Sequence, residues 1–281
     1  DDVRKRLSLD DEVLLEEARN SASQFLVHHP LPLFIDEIQR APNLFLQIKA
    51  EVDARNDYGQ VWASGSQKFV LMKGVADSLA GRLCPLELMP LSLYERQGKG
   101  LEHKPYVPSV LPAKTLSAGD AADLWKTIWQ GAWPRVINMT PRQRLFFYSG
   151  LVQTYLERDV RTEAGVEKLS AFRGFLRELA LRTGQELRIG DIAKTVGVSD
   201  KTINGWLSIA ENSGLIYLLR PYYANIGKQF VKSPKIYFTD TGLAAYLIGF
   251  SSPGKMAEYT TSGAFFETFV IMEILKGWVH N

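Results

Sequence analysis

Apolar positions fall into two kinds of spacing along the chain, and each predicts a different element. In Leu31-Pro32-Leu33-Phe34-Ile35-Asp36-Glu37, four of the five residues before Asp36 are apolar. That run predicts a strand buried on both faces, of the parallel-sheet kind, and it ends in two carboxylates. Leu44, Ile48 and Val52 recur every four residues after Pro42, which predicts a helix stopped near Asn56 to Gly59. Val61-Trp62-Ala63 is a second short apolar run leading into Ser64-Gly65-Ser66-Gln67. Strand, helix and strand at this spacing make a parallel βαβ unit, whose ligands sit at the C-terminal ends of the strands. Ahead of it, Val3 to Val27 reads as one helix with no leading strand. Leu7, Val13, Leu14, Phe25 and Leu26 are available for its apolar face.

The second half reads differently. Gln97 to Ala118 is rich in Gly, Pro and Lys with little periodicity and predicts a loop. Helical patterns follow from Leu151 to Arg161 and from Phe172 to Arg182. Within Leu187 to Ser213, Ile189, Ile192 and Ala193 begin one helix, Gly197 makes a turn and Ser199 caps a second helix. That helix carries Lys201, Thr202, Asn204 and Trp206, with Ile203, Leu207 and Ile209 inward. Strands Leu215 to Leu219 and Lys235 to Phe238 enclose a loop with Lys228 and Lys232. This is the pattern of a winged helix.

Composition narrows the class only a little. Of 281 residues, 46% are hydrophobic and 23% charged, and the net charge is +2. These values suit a globular chain and do not by themselves imply a nucleic-acid partner. A lone cysteine, Cys84, rules out an internal disulfide framework and a CxxC metal site, and fits a cytoplasmic setting. No apolar stretch reaches the ~20 residues of a membrane helix, so no membrane partner is expected. The chain opens on Asp1-Asp2 against a helical pattern and closes on Trp278-Val279-His280-Asn281 after an apolar helix. It is expected to be the ordered part of something longer.

The acidic strand end carries the chemistry. Phe34-Ile35-Asp36-Glu37 resembles the Walker B strand of P-loop NTPases. The resemblance implies that Asp36 helps hold Mg²⁺ on nucleotide phosphates and that Glu37 activates the attacking water. Ser64 to Gln67 stands where AAA-type ATPases carry a sensor; a helix N-cap would use the same residues. Four blocks, in order, resemble one prokaryotic family of AAA-type ATP-binding proteins with a C-terminal domain of unknown function. They are Phe34 to Pro42, Ala63 to Gln67, Ser78-Leu79-Ala80-Gly81-Arg82 and Leu88 to Ser92. The Leu151 to Arg161 block is similar to the same family, although its alternating charges also suit a solvated face.

The resemblance implies an α/β fold: a partial P-loop NTPase parallel sheet, then a mostly helical part containing the winged helix. The implied divisions are 1–95 (ATPase core), 96–148 (connector), 149–250 (helical winged-helix domain) and 251–281. The last resembles the start of a restriction-endonuclease-like domain, with Glu267 as a helix-borne acid. Arg82 falls where an arginine finger or sensor would neutralise developing charge, and an exposed Arg after a Gly turn is the plainer alternative. The implied cofactors are ATP and Mg²⁺. Lys201, Thr202, Asn204, Lys228 and Lys232 are the residues with which the winged helix would contact duplex DNA, or it serves a protein partner. A homo-oligomer and a non-enzymatic DNA-binding or scaffold protein are the other arrangements the residues allow.

One motif is missing. The phosphate-cradling G-x-x-x-x-G-K-[ST] does not occur, since Gly98-Lys99, Gly227-Lys228 and Gly254-Lys255 are followed by Gly, Gln and Met. In the family that loop belongs to a preceding strand, so these 281 residues alone are expected to hold nucleotide poorly.

Overall fold

A computed structural model of the chain describes residues 4–55, 57–65, 79, 81–102, 104–108, 120–156, 169–222 and 233–280, with backbone only at 154–156. It divides into two compact units, residues 1–86 and 87–281.

The first unit is built on three parallel strands in the order β1 (Lys5–Ser8), β2 (Leu33–Asp36), β3 (Val61–Ala63). Helices α1 (Glu12–Asn20) and α2 (Ala22–His28) connect the first pair, and α3 (Leu44–Arg55) connects the second. The helix expected from Val3 to Val27 is therefore corrected. Its first residues form an edge strand, and the remainder breaks into two helices at Ser21, whose hydroxyl caps the second by accepting from Gln24 N–H. The local reason is legible afterwards. Leu7 and Leu9 alternate with polar neighbours and are both buried, which is strand spacing. Asp11 then caps α1 by accepting from the Val13 and Leu14 amides.

Burial of β2 is one-sided, not the two-sided burial expected. Leu33 and Ile35 are fully buried, whereas Phe34 and Asp36 are half-buried. The core of this unit gathers Leu7, Leu15, Phe25, Leu33, Ile35, Ile38, Leu44 and Ile48, with Val52 packed against it. The predicted stripe of α3 thus faces inward.

The second unit is mostly helical. Helix α4 (Ala121–Gln130) ends at Gly131 with φ 87°, followed by α5 (Pro141–Gly150), a π-helical turn (Leu151–Leu156) and α6 (Leu169–Leu181). Residues 157–161 of the charged block lie outside the described residues. Next come β4 (Gln185–Glu186), α7 (Ile189–Val196), α8 (Asp200–Asn212), β5 (Ile216–Leu219) and β6 (Lys235–Phe238). The strands form an antiparallel sheet in the order β4-β6-β5. Gly197 turns between α7 and α8 with φ 76°, and Ser199 caps α8 by accepting from Thr202 N–H at 3.2 Å. Phe172, Phe175, Leu176 and Leu179 are all fully buried, as their spacing predicts. Trp206 is also buried, 5.4 Å and 5.5 Å from the rings of Phe172 and Phe175. It belongs with Ile203 and Leu207 on the inner side of α8, which corrects its expected place beside Lys201, Thr202 and Asn204.

Helices α9 (Thr241–Ile248), α10 (Pro253–Ala257) and α11 (Ser262–Val279) complete this unit. Its core is one cluster running from Ile128 to Phe265. Among the described residues no helix is long and apolar enough to cross a membrane.

Candidate nucleotide site

Parallel pairing puts the C-terminal ends of β2 and β3 side by side, with Ile35 opposite Ala63. The residues that follow, Asp36 and Ser64, are therefore neighbours. The Ser64 hydroxyl donates to Asp36 Oδ1, and Ser64 N–H donates to Ile35 C=O at 2.9 Å. A carboxylate and a hydroxyl presented together are hard oxygen donors, the set Mg²⁺ accepts beside waters and phosphate oxygens. The described residues contain no cluster of three or more His, Cys, Asp or Glu side chains able to hold a metal by themselves. Asp36 and Ser64 thus fit a metal that is shared with a phosphate, not a closed protein cage.

Glu37 adopts the left-handed conformation, φ 55° and ψ 37°, and is the only described non-glycine residue with positive φ. For a residue with a Cβ this backbone costs about 1–2 kcal/mol, and it is the kind of local strain that collects at functional sites. The turn is fixed from several directions. Ile38 N–H donates to Ser64 C=O at 3.1 Å, and the Gln39 amide donates to Glu37 Oε2. Arg40 reaches back to Asp10 at 2.9 Å and Glu12 at 2.8 Å, at the start of α1. Asn43 donates to Ala18 C=O at 2.7 Å. The two acids thus stand on an element tied to the residue that follows β3 and to α1 and the residues just before it.

The other expected site residues fall differently. Gln67 lies outside the described residues. Arg82 pairs with Asp53 through contacts of 2.5 Å and 3.1 Å. Hydrogen bonding to Arg82 holds the Asp53 carboxyl below its ordinary range and raises the Arg82 guanidinium in turn. Asp53 is nine residues past the start of α3, ~13 Å down a helix that runs back against the strands. Arg82 is therefore bound at the end of the sheet away from Asp36 and Glu37, and the structure does not bring it to them. Sequence spacing gave no sign of this, because α3 reverses direction between the two.

In the second unit, Lys201 is exposed, while the Thr202 hydroxyl is 2.9 Å from Ser199 Oγ within the cap. Asn204 spends its side-chain amide on Asp200 C=O at 2.9 Å. Arg220 pairs with Glu211 at 3.6 Å and Lys235 with Glu267 at 2.8 Å. Lys228 and Lys232 lie outside the described residues. Glu267 also accepts from Tyr237 O–H at 2.6 Å. Burial acts to raise the Glu267 carboxyl, but the bonds from Lys235 and Tyr237 outweigh it and leave the group below its ordinary range. Its contacts are those of a structural anchor between α11 and β6.

Residues 2–97 match an AAA domain. That likeness carries nucleotide binding, usually with Mg²⁺, as the property common to such domains. Residues 121–254 match a domain of unknown function (DUF8612). Among curated relatives, uncharacterized proteins of Mycobacterium bovis and Mycobacterium tuberculosis are each 27% identical over 241 residues, covering 85% of this chain and 49% of the relative. An uncharacterized protein of Haemophilus influenzae is 26% identical over 220 residues, covering 76% of this chain and 50% of its own. The chain spans about half the length of the curated relatives it matches. No solved structure matches it.

Proposed function

We propose that the full-length protein hydrolyses ATP at the strand end formed by Asp36, Glu37 and Ser64, and couples this to an interaction module in residues 187–238. The observation that carries the proposal is the Asp36–Ser64 pair at the C-terminal end of the central parallel strand, with Glu37 on a strained turn beside it, inside the AAA-matching segment. Read this way, β2 is a Walker B strand. Asp36 would hold Mg²⁺, which when bound screens the phosphate charge. Ser64 orients the Asp36 carboxylate, and Glu37 would take the proton of the attacking water. Gln67 is the second sensor candidate. Arg82, held by Asp53 at the far end of the sheet, would reach transferred charge only on a neighbouring copy, which makes a homo-oligomer the arrangement that uses it. The direct test is release of inorganic phosphate from ATP by the full-length protein. Mg²⁺-dependent turnover is expected, and none at any Mg²⁺ concentration would contradict the proposal.

We read the α7-turn-α8 pair, with β5 and β6, as a winged helix. Charges on α8 alternate (Asp200, Lys201, Glu211), and Arg220 and Lys235 are neutralised by Glu211 and Glu267. These pairings favour a protein partner over duplex DNA. The expected result is that a short duplex shows no salt-sensitive retention by the full-length protein. If Lys201, Lys228 and Lys232 do contact phosphates, binding will instead weaken with salt, and each lysine replaced will lower the log–log slope by roughly 0.9. Asn204→Ala would then separate base reading from phosphate contact.

A further inference from the structure

We propose that Gln39 is the positioning residue for Glu37, fixing the carboxylate so that it faces the site instead of sampling the turn. The proposal rests on the ATPase reading above and deepens it. Gln39 is 9% exposed, and its two polar atoms are treated unequally. Nε2 donates to Glu37 Oε2, while Oε1 is buried with no hydrogen-bond partner. The orientation of this amide is set by chemistry. Turning it over would place a carbonyl oxygen against a carboxylate oxygen, so the donor must face Glu37.

A buried amide with one bond made and one acceptor unpaired contributes little net stability to folding, because the unpaired carbonyl offsets the bond that is formed. Its consequence is local. Glu37 is in the left-handed region, where few residues other than glycine rest. A hydrogen bond to its end narrows the rotamers the side chain takes around that strained turn. The amide supplies the restraint from two residues away, on a 3₁₀ turn (Ile38–Arg40) that is itself tied to Ser64 C=O and to the start of α1. A general base must lie within hydrogen-bond reach of the proton it removes, so a fixed carboxylate bears on rate more than on binding.

Gln39→Met in the full-length protein tests this. Methionine keeps the length and volume, removes the donor, and also removes the unpaired carbonyl. Expected is a fall in kcat of between about 10- and 100-fold, an unchanged KM for Mg·ATP, and a melting temperature equal to or above wild type. In a Glu37→Gln background the same replacement should change turnover by less than about twofold, because the group it positions is gone. A lower melting temperature with losses that add to those of Glu37→Gln would make Gln39 a packing residue and overturn the proposal. Unchanged kcat in Gln39→Met, with Glu37→Gln still defective, would overturn it and leave the ATPase reading standing. Full turnover in Glu37→Gln itself would remove that reading, and this proposal with it.

Discussion

Glu37→Gln in the full-length protein is expected to keep nucleotide binding and lose about 10²–10⁴ of turnover, the usual worth of a general base. The substitution is isosteric. It keeps an acceptor oxygen for the Gln39 amide and leaves the left-handed turn, the Ile38-to-Ser64 bond and the Asp36–Ser64 pair untouched. What it removes is the ability to accept a proton. Single-turnover phosphate release, with nucleotide affinity measured separately, distinguishes the two effects. Equal losses in affinity and in rate would mean the substitution disturbed the turn instead of the chemistry.

The second large effect concerns the other unit. Asp240 is 1% exposed and accepts three hydrogen bonds: from Ala132 N–H at 2.6 Å, Leu243 N–H at 2.6 Å and Tyr148 O–H at 2.7 Å. Burial, and then the charge of Asp240 beside it, push the Tyr148 phenol well above its ordinary value, so it stays protonated as a donor. Buried Arg144 closes the same knot, donating to Trp129 C=O at 2.6 Å and Gly242 C=O at 2.8 Å. Asp240→Ala leaves the Ala132 and Leu243 amides without that acceptor and leaves the Tyr148 phenol only Gln130 C=O at 3.1 Å. At ~1–3 kcal/mol for each group left unpaired, and with partial relaxation, a loss of roughly 3–5 kcal/mol is expected. Gly131→Ala should be comparably severe. Its Cβ would stand 2.3 Å from the Tyr148 hydroxyl and 2.8 Å from both Asp240 oxygens, at φ 87°. Five of the six tryptophans lie in residues 87–281, so denaturant unfolding followed by tryptophan fluorescence reports on this unit. A midpoint within error of wild type for both variants would show that the knot carries no stability.

What could be read in advance was what is encoded locally. The α7-turn-α8 pair declared itself through Gly197, Ser199 and the spacing of Ile192, Ile203 and Leu207, all within a few residues of one another. The βαβ unit did so through two apolar runs and one stripe of three residues at every fourth position. The strand Lys5–Ser8 was hidden because three of its four residues are charged or polar and its identity comes from pairing with β2, 28 residues away in register. Trp206 could have faced either way until Phe172 and Phe175 were placed against it. The same limit applies to the site. Asp36 and Glu37 announce themselves as adjacent acids at a strand end, and Ser64 by following the next strand. Arg82 looked like a partner in sequence and lies at the opposite end of the sheet, because direction along α3 is a three-dimensional property. The Asp240 knot joins residues as far apart as Ala132 and Leu243 and left no local pattern to find.

Calorimetric titration of Mg·ATP into the full-length protein and its Asp36→Ala variant bears most directly on the central claim. Saturable binding by the wild type is expected, weakened about tenfold or more in Asp36→Ala, at least the ~1.4 kcal/mol of one lost charge-assisted contact. The loss should shrink when Mg²⁺ is withheld from both proteins, since Asp36 is proposed to act through the metal. Equal affinities for wild type and variant in the presence of Mg²⁺ would contradict a nucleotide site at this strand end.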